Sequence, residues 1–113
     1  MPKSISTKKY NQFDVWFVEL EPTIGSEVNK KRPCVIISPQ AMNISLNTVL
    51  IAPLTHTQKS YPTRVFTNFK NEDGQVMLDQ IRGVDKSRLS KLLGSLDAET
   101  GQDILKILRV MFS

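Results

Sequence analysis

The sequence lacks the residue groupings on which most metal and nucleotide sites depend. It contains one cysteine and one histidine among 113 residues. It has no HExxH or CxxC pair and no carboxylate cluster with the spacing of metal ligands. It also has no glycine-rich phosphate loop of the Walker or dinucleotide-binding type. We therefore expect neither a metal ion nor a nucleotide cofactor.

The low cysteine content and the short apolar runs indicate the cellular compartment in which the protein is expected. Cys34 has no partner for an internal disulfide, which favours a reducing environment, and its place in the apolar run 33–37 predicts a small core residue. No segment approaches the ~20 apolar residues of a membrane span. Residues 1–9 are polar and basic, with no apolar signal core after them. We expect a flexible leader over residues 1–9, a single domain over residues 10–113, no membrane association and a cytoplasmic location.

A modest basic excess accompanies enough apolar residues for one core. The formal net charge is +4 and hydrophobic residues make up 40% of the chain, which is typical of a globular domain rather than a disordered one. A small basic domain can attract a polyanion, because each neutralised phosphate releases counterions. The same charge also suits an ordinary solvated surface, so charge alone does not distinguish the two.

Short aromatic and β-branched segments, separated by turn-forming residues, predict a mainly β domain. Five strands are predicted at 13–20, 33–38, 48–54, 64–69 and 75–78, with a weaker sixth at 84–89. Pro33 is expected to open its strand, and Pro53 to mark the end or an edge position of its own, because proline cannot donate to a sheet ladder.

The connections between these segments differ in length. A long loop is predicted over 21–32, where three successive cations precede a strand, and long loops in compact domains are often functional. Residues 39–47 read as either a short helix or a turn. A hairpin turn is predicted over 70–74, with Asp73-Gly74 as its signal.

The last segment is the clearest helix. Asp97 is a good N-cap, Leu96 could act as a hydrophobic staple, and residues 91–95 are expected to lead into the helix. Its apolar stripe consists of Ile104, Leu105, Leu108 and Met111, widened by Ile107 and Phe112. Five or six short strands with one C-terminal helix predict a small β-barrel covered by that helix.

Polar side chains gather at the ends of three predicted strands. They are Ser26, Glu27, Asn29, Lys30, Lys31 and Arg32 before the second strand, Thr55, His56 and Thr57 after the third, and Asp79, Gln80 and Arg82 after the fifth. Loops positioned by a rigid barrel often carry function. Each set also has a plain structural interpretation, as a solvated charge run, a loop histidine or a strand terminator. The spacing of the residues alone does not favour a functional role over these interpretations.

Five ordered blocks, from about Phe13 to the C-terminal helix, resemble the MazF/PemK family of toxin ribonucleases. The first, FDVWFVELEPTIGSEVNKKRPCVIISP, is similar to the family's strand–loop–strand signature of an aromatic strand, Gly-Ser-Glu, Arg-Pro and a Val/Ile run ending in Ser-Pro. The others are Ala52–Thr55 (APLT), Tyr61-Pro62, Asp73-Gly74 and Leu78–Arg82 (LDQIR). The shared order and spacing make the resemblance specific, although any one block alone would be weak.

The resemblance implies a small SH3-like barrel of the CcdB/PemK type that acts as a homodimer. It also implies a type II toxin that cleaves single-stranded messenger RNA at short sequences without a metal ion. A cognate antitoxin would block it, and the complex of the two would bind DNA. The family's catalytic arginine corresponds to Arg32, and its threonine or serine to Thr55. A subset adds an aspartate, here Asp79, with an arginine two residues earlier; Met77 stands there instead, so the role of Asp79 stays open.

Such cleavage uses the 2′-hydroxyl of the RNA as nucleophile and leaves 2′,3′-cyclic phosphate and 5′-hydroxyl ends. The guanidinium of Arg32 suits charge stabilisation at the phosphate, and Thr55 can donate a hydrogen bond there. Neither side chain is a natural proton acceptor near neutral pH. Histidine titrates in that range, so the adjacent His56 is a candidate acid or base, and the identity of the general base stays open.

Further RNA contacts are expected from polar, cationic and aromatic side chains around this pair. The candidates are Ser26, Glu27, Lys30, Lys31, Thr57, Lys59, Tyr61, Gln80 and Arg82. Two alternatives use the same fold: a non-catalytic toxin that binds a protein such as DNA gyrase, and a degenerate member that binds RNA or antitoxin without cutting. The gyrase-binding toxins resemble one another in a C-terminal Trp-Gly-Ile tail, whereas this chain ends in RVMFS and its only tryptophan is Trp16.

Overall fold

Extended backbone dominates the computed structural model, as the aromatic and β-branched segments predict. The structure describes residues 9–21 and 30–113. The predicted leader lies outside these ranges apart from Lys9, as do the candidates Ser26 and Glu27 and the side chain of Lys30. The strands in the described ranges are β1 (Asp14–Glu21), β2 (Lys30–Ile36), β3 (Thr48–Thr55), β4 (Arg64–Phe69), β5 (Glu72–Met77), β6 (Arg82–Asp85) and β7 (Leu89–Ser95). Two helices, α1 (Gln40–Ser45) and α2 (Ala98–Met111), accompany them, and neither is long and apolar enough to cross a bilayer.

The strands form one antiparallel sheet in the order β4-β5-β3-β2-β1-β7. β6 pairs with the first half of β3 and β5 with its end, so these two strands share one edge of β3. The outer strands meet through side chains: a Cβ placed on Gly94 of β7 would lie 3.0 Å from Cζ of Phe69 of β4. The mainly β fold with a C-terminal helix is thus confirmed. The barrel is a loose description, because no ladder between β4 and β7 closes the sheet in the part of the chain that is described.

Two apolar clusters pack on opposite faces of this curled sheet. Side chains alternate along a strand, so Val35 faces one cluster while its neighbour Cys34 faces the other. The first cluster, beneath α2, consists of Val15, Val35, Ile37, Ala52, Val65, Val76, Leu78, Leu96 and Ile104. The second consists of Trp16, Val18, Cys34, Ile36, Val49, Ile51, Val84 and Leu89. β2 is therefore buried on both faces along Cys34–Ile36, as its unbroken apolar run predicts.

Helix α2 begins where the sequence predicts and covers the first cluster. The carboxylate of Asp97 caps it by accepting a hydrogen bond from the Thr100 amide at 3.3 Å. The predicted contribution of Phe112 is wrong, because that side chain is exposed beyond the end of the helix. A Cβ on Gly101 would lie 2.6 Å from the ring of Phe13, so glycine lets the helix approach the sheet closely. The helical residues that pack on the first cluster are Ile104, Ile107, Leu108 and Met111.

The hairpin between β4 and β5 turns earlier than predicted. Its turn residues are Lys70 and Asn71, with φ of 52° and 65°, which is the backbone of a type I′ turn. Asp73-Gly74 lies inside β5, so the turn signal was misplaced. Asparagine tolerates the left-handed region without glycine, and the hairpin therefore does not need the glycine at its tip.

Three further boundaries correct the prediction. β2 begins at Lys30, so Pro33 lies inside a strand and pairs with Phe17. The segment 91–95 belongs to β7, and the weak strand at 84–89 is the end of β6, a 3₁₀ turn over Lys86–Arg88 and the first residue of β7. The ladder between β7 and β1 shifts register next to Gly94. Such a bulge breaks the alternation by which strands are recognised.

Candidate functional site

The ends of β2 and β3 bring Arg32 and Thr55 to the same face of the sheet. The ladder pairs Cys34 with Pro53, and the same register continued by two residues sets Arg32 opposite Thr55. On its other side Arg32 pairs with Val18 of β1. Arg32 is exposed and Thr55 partly so. The pair therefore lies at an accessible margin of the second apolar cluster, where one ligand could reach both side chains.

Thr55 is held by its own turn and by the close approach of β5. Its hydroxyl oxygen accepts a hydrogen bond from the Thr57 amide at 3.2 Å, which leaves the hydroxyl proton to be donated elsewhere. A Cβ on Gly74 would lie 2.7 Å from the carbonyl oxygen of Thr55. Because that oxygen belongs to the backbone, it cannot turn aside, so Gly74 sets how closely β5 packs on the end of β3.

A cleft of about 550 Å³ opens at these strand ends. Its apolar wall includes Leu54, which packs toward the first cluster, whereas Arg32 and Thr55 point to the opposite face of the same strands. The cleft therefore borders the pair rather than enclosing it. Its lining consists of Lys31, Arg32, Pro33, Leu54, Thr55, His56, Thr57, Thr67, Phe69, Lys70, Glu72, Gly74 and Leu93.

Arg32 and Arg82 make the face around Cys34 electropositive. Arg82 pairs with Ile51 of β3 and so lies on the face of the second cluster. Burial raises the pKa of Cys34 to about 12, while the charges of Arg32 and Arg82 act in the opposite direction. A thiol that stays protonated at neutral pH is a poor nucleophile. The predicted core role of Cys34 is confirmed by its burial, and the two guanidinium groups favour an anion on this face.

His56 lies at the rim of the cleft against the β4–β5 hairpin. Its Nδ1 is 3.2 Å from the carbonyl oxygen of Asp73, which can only accept, so the contact assigns the proton to Nδ1. Nε2 lies 3.8 Å from a carboxylate oxygen of Glu72. The side chain is 77% exposed. Nε2 of His56 is thus accessible to a ligand in the cleft.

Asp79 is engaged by Thr63 and Arg64. The Nε and Nη2 atoms of Arg64 lie 2.9 and 3.4 Å from its two oxygens, and the Thr63 hydroxyl donates to it at 3.0 Å. The hydrogen bond from Arg64 is the main reason that the pKa of Asp79 lies below its ordinary value. This makes the carboxylate a weak proton acceptor. Arg64 pairs with Met77 across the β4–β5 ladder, so the arginine that contacts Asp79 comes from the strand beside position 77.

Gln75 ties the loop after β3 to the sheet. Its side-chain oxygen accepts from the Lys59 amide at 3.2 Å, and its side-chain nitrogen donates to the Lys59 carbonyl at 2.8 Å. Gln75 is buried and pairs with Thr55 in the ladder. The loop therefore crosses the face on which Thr55 lies. A glutamine within the apolar run QVML was the available sequence signal, and sequence reasoning missed it, as it missed Arg64 and the close approach of Gly74 to β3.

The structure gathers part of the predicted site around the cleft. Lys31, Arg32, Thr55, His56 and Thr57 line it, whereas Lys59, Tyr61, Asp79, Gln80 and Arg82 lie outside its lining. Gln80 is exposed in a 3₁₀ turn over Leu78–Gln80. Among residues 9–21 and 30–113, no group of three or more histidine, cysteine, aspartate or glutamate side chains is placed to hold a metal ion.

Comparison with known proteins identifies the family. A family model described as PemK-like, MazF-like toxin of type II toxin-antitoxin system matches residues 11–112. Endoribonuclease EndoA of Bacillus subtilis is 33% identical over 103 residues, covering 86% of this chain and 89% of the relative. Endoribonuclease toxin MazF of Escherichia coli is 34% identical over 71 residues, covering 63% of this chain and 64% of the relative.

Solved structures share the fold. A MazE–MazF complex from Deinococcus radiodurans (Form-II) superposes with a TM-score of 0.78 at 24% identity, covering 90% of this chain and 94% of that one. A mycobacterial endoribonuclease in complex with its cognate antitoxin gives a TM-score of 0.76 at 25% identity, covering 90% and 93%. The matched family model and the relatives over most of the chain lead to one conclusion: this chain belongs to the PemK-like, MazF-like toxin family of type II toxin–antitoxin systems.

Proposed function

We propose that the protein is the toxin of a type II toxin–antitoxin pair, an endoribonuclease that cuts single-stranded messenger RNA at short specific sequences without a metal ion. The observation that carries this proposal is the β2–β3 register, which, continued by two residues beyond Cys34 and Pro53, sets Arg32 opposite Thr55 at an accessible end of the sheet, with Arg82 on the same face. The names of the relatives, EndoA and MazF, support the activity. We expect the enzyme to act in the cytoplasm, where its substrate is.

The proposed reaction needs charge stabilisation at one phosphorus atom. The RNA 2′-oxygen attacks the adjacent phosphorus, the bond from phosphorus to the 5′-oxygen breaks, and a 2′,3′-cyclic phosphate remains on one product. Arg32 binds the non-bridging oxygens with its planar guanidinium, where negative charge develops in the transition state. Thr55 donates its free hydroxyl proton to the same phosphate, because the Thr57 amide already occupies a lone pair of its oxygen.

The proton transfers require a group that titrates near neutral pH. A proton must leave the 2′-hydroxyl, and another must reach the departing 5′-oxygen. We assign one of these transfers to His56, which follows Thr55 directly and lines the same cleft. Asp79 is less suited, since Arg64 and Thr63 already occupy its oxygens and hold it ionised.

Two protein partners belong to the proposal. The first is a cognate antitoxin, supported by the mycobacterial endoribonuclease–antitoxin structure and by the MazE–MazF complexes. We expect the complex with antitoxin to bind DNA. The second partner is another copy of this chain, because we propose a homodimer. The positive charges of Arg32 and Arg82 would favour an acidic antitoxin segment that competes with RNA for this face.

Incubation of the purified protein with a long single-stranded RNA in EDTA tests the activity. Products with 5′-hydroxyl ends should accept phosphate from polynucleotide kinase without prior phosphatase treatment. Arg32→Ala should lower the rate by about 10²-fold or more, since Arg32 stabilises developing charge. Arg109→Ala removes the same charge from an exposed site on α2 and should cleave normally. Cleavage that requires a divalent cation, or equal rates for both variants, would contradict the proposal.

A further inference from the structure

An exposed aromatic side chain lies on the same face of the sheet as Arg32 and Thr55, on the far side of the loop that crosses this face at Lys59. Thr55 of β3 pairs with Gln75 of β5, and Gln75 pairs with Phe66 of β4, so these residues share one face. Phe66 is 58% exposed and is absent from both apolar clusters. With about 4.8 Å between neighbouring strands, the backbone at Phe66 lies roughly 10 Å from the backbone at Thr55 across the sheet.

A second exposed ring lies against Arg64, two residues before Phe66. Tyr61 is 51% exposed, and the guanidinium carbon of Arg64 lies 4.9 Å from its ring centroid. Arg64 precedes Phe66 by two residues, so both side chains leave β4 on the same face. The side chain of Arg64 is only 8% exposed and is fixed by its ion pair with Asp79. The ring of Tyr61 therefore packs on a guanidinium that is itself held in place.

We propose that Phe66 and Tyr61 form a stacking platform for unpaired RNA bases, which extends the phosphate site of Arg32 and Thr55 across the sheet. Exposed aromatic rings beside a cationic groove are the arrangement by which proteins hold single-stranded nucleic acid. Every base offers a face for stacking, so the platform contributes affinity and substrate length rather than the choice of sequence. This inference rests on the proposed RNA cleavage and specifies where bases next to the cut bond are held.

The surroundings of Phe66 favour a base over a protein partner. Its neighbours on the same face are Arg64 and Asn68 along the strand and Gln75 across it. The buried centre of a protein–protein interface is depleted in charged residues, whereas stacked bases lie well among guanidinium and amide groups. Arg64 and Asn68 are already engaged by Asp79 and Asp73, so the platform offers bases a stacking surface and leaves phosphate binding to Arg32 on the same face.

The test uses an RNA oligonucleotide with one mapped cleavage site and a 2′-deoxyribose at the cut position, so that it binds without being cleaved. Phe66→Ala should weaken binding by about 5- to 100-fold, the range for the loss of one stacked base. Phe66→Trp should restore binding, because it keeps a stacking surface. Phe112→Ala removes a more exposed ring from the end of α2, 76% against 58% for Phe66, and should bind as the wild type does. On cleavable RNA, Phe66→Ala should raise KM and leave kcat nearly unchanged.

The outcomes separate the platform from the proposed function. Equal binding by Phe66→Ala and wild type, with wild-type cleavage intact, overturns the platform alone. A wild-type protein that neither binds nor cleaves RNA overturns the proposed function and the platform with it. Analytical ultracentrifugation supplies the third arm: if Phe66→Ala converts a dimer to a monomer, the ring belongs to an interface between copies and the platform is overturned. Phe66 is exposed, so its loss should leave the melting temperature unchanged.

Discussion

Replacing Gly74 with alanine should disturb one point in the molecule, the contact between β5 and the end of β3. The new methyl group would start 2.7 Å from the Thr55 carbonyl oxygen, whereas ordinary contacts of a Cβ begin at 3.4 Å. The strands must therefore separate by about 0.7 Å at this point. Since the obstacle is backbone, no side-chain rotation relieves it. Overpacking of this kind costs about 1–3 kcal/mol, which corresponds to a fall of roughly 4 °C in melting temperature for each kcal/mol.

The same displacement should reduce catalysis, because Thr55 is part of the peptide that moves. A misplacement of about 1 Å at a reacting group can lower turnover by ~10²-fold. The shift expected here is smaller and is shared between two strands. We therefore expect kcat for RNA cleavage to fall by about tenfold, with KM little changed, since the Arg32 side chain on β2 is not displaced.

Gly83→Ala is the matched control for this prediction. Gly83 lies in β6, and a Cβ there would meet its nearest neighbour, Cδ2 of Leu50, at 3.6 Å, which is an ordinary contact. Neither Gly74 nor Gly83 has a positive φ, so the two substitutions differ in space rather than in backbone strain. Thermal unfolding followed by circular dichroism and single-turnover cleavage would compare them. If Gly74→Ala melts and cleaves like Gly83→Ala, the close approach of β5 does not position Thr55.

Two other predictions concern titratable groups. Asp79→Asn removes a carboxylate whose pKa Arg64 holds below its ordinary value. Such a group stabilises the fold above its unfolded pKa of about 3.9, and this contribution disappears as the pH falls through the lower folded value. The variant should therefore be less stable than wild type at pH 7, by no more than about 1 kcal/mol because the pair is partly exposed. Urea unfolding at successively lower pH should show this difference in stability closing below about pH 3.9. A difference that stays constant with pH would contradict the role of the charge. The thiol of Cys34, buried and with its pKa raised to about 12, should react with an aromatic disulfide reagent only after unfolding, and rapid labelling of the native protein at pH 7 would refute its assignment to the core.

Sequence reasoning placed well the strands in which buried and exposed residues alternate regularly along the chain. β4 coincides with the predicted segment 64–69 because it alternates cleanly between a covered and an open face. β7 was not predicted as a strand because the register shift beside Gly94 removes that alternation. The early start of β2 was not predicted either, because Lys31 and Arg32 have the composition of a loop. Only their pairing with β1 shows that they belong to the strand.

In the candidate site, too, the sequence identified some residues and could not identify others. The resemblance to a known family singled out Arg32 and Thr55, and the register of β2 on β3 explains why they meet. Gly74 and Gln75 could not be found this way, because their roles depend on contacts with Thr55 and Lys59, which are distant along the chain. Phe66 reads as an ordinary strand residue, since alternation reveals two faces but not which one the rest of the protein covers.

Arg64 and Met77 stand directly opposite each other in the ladder. An arginine at either position would therefore place its charge at nearly the same point on this face. Side chains opposite each other in an antiparallel pair have Cβ atoms about 5 Å apart, so an arginine from either strand reaches the same carboxylate of Asp79. Exchanging the two residues would therefore keep the ion pair with Asp79, although the arginine would then stand on the other strand.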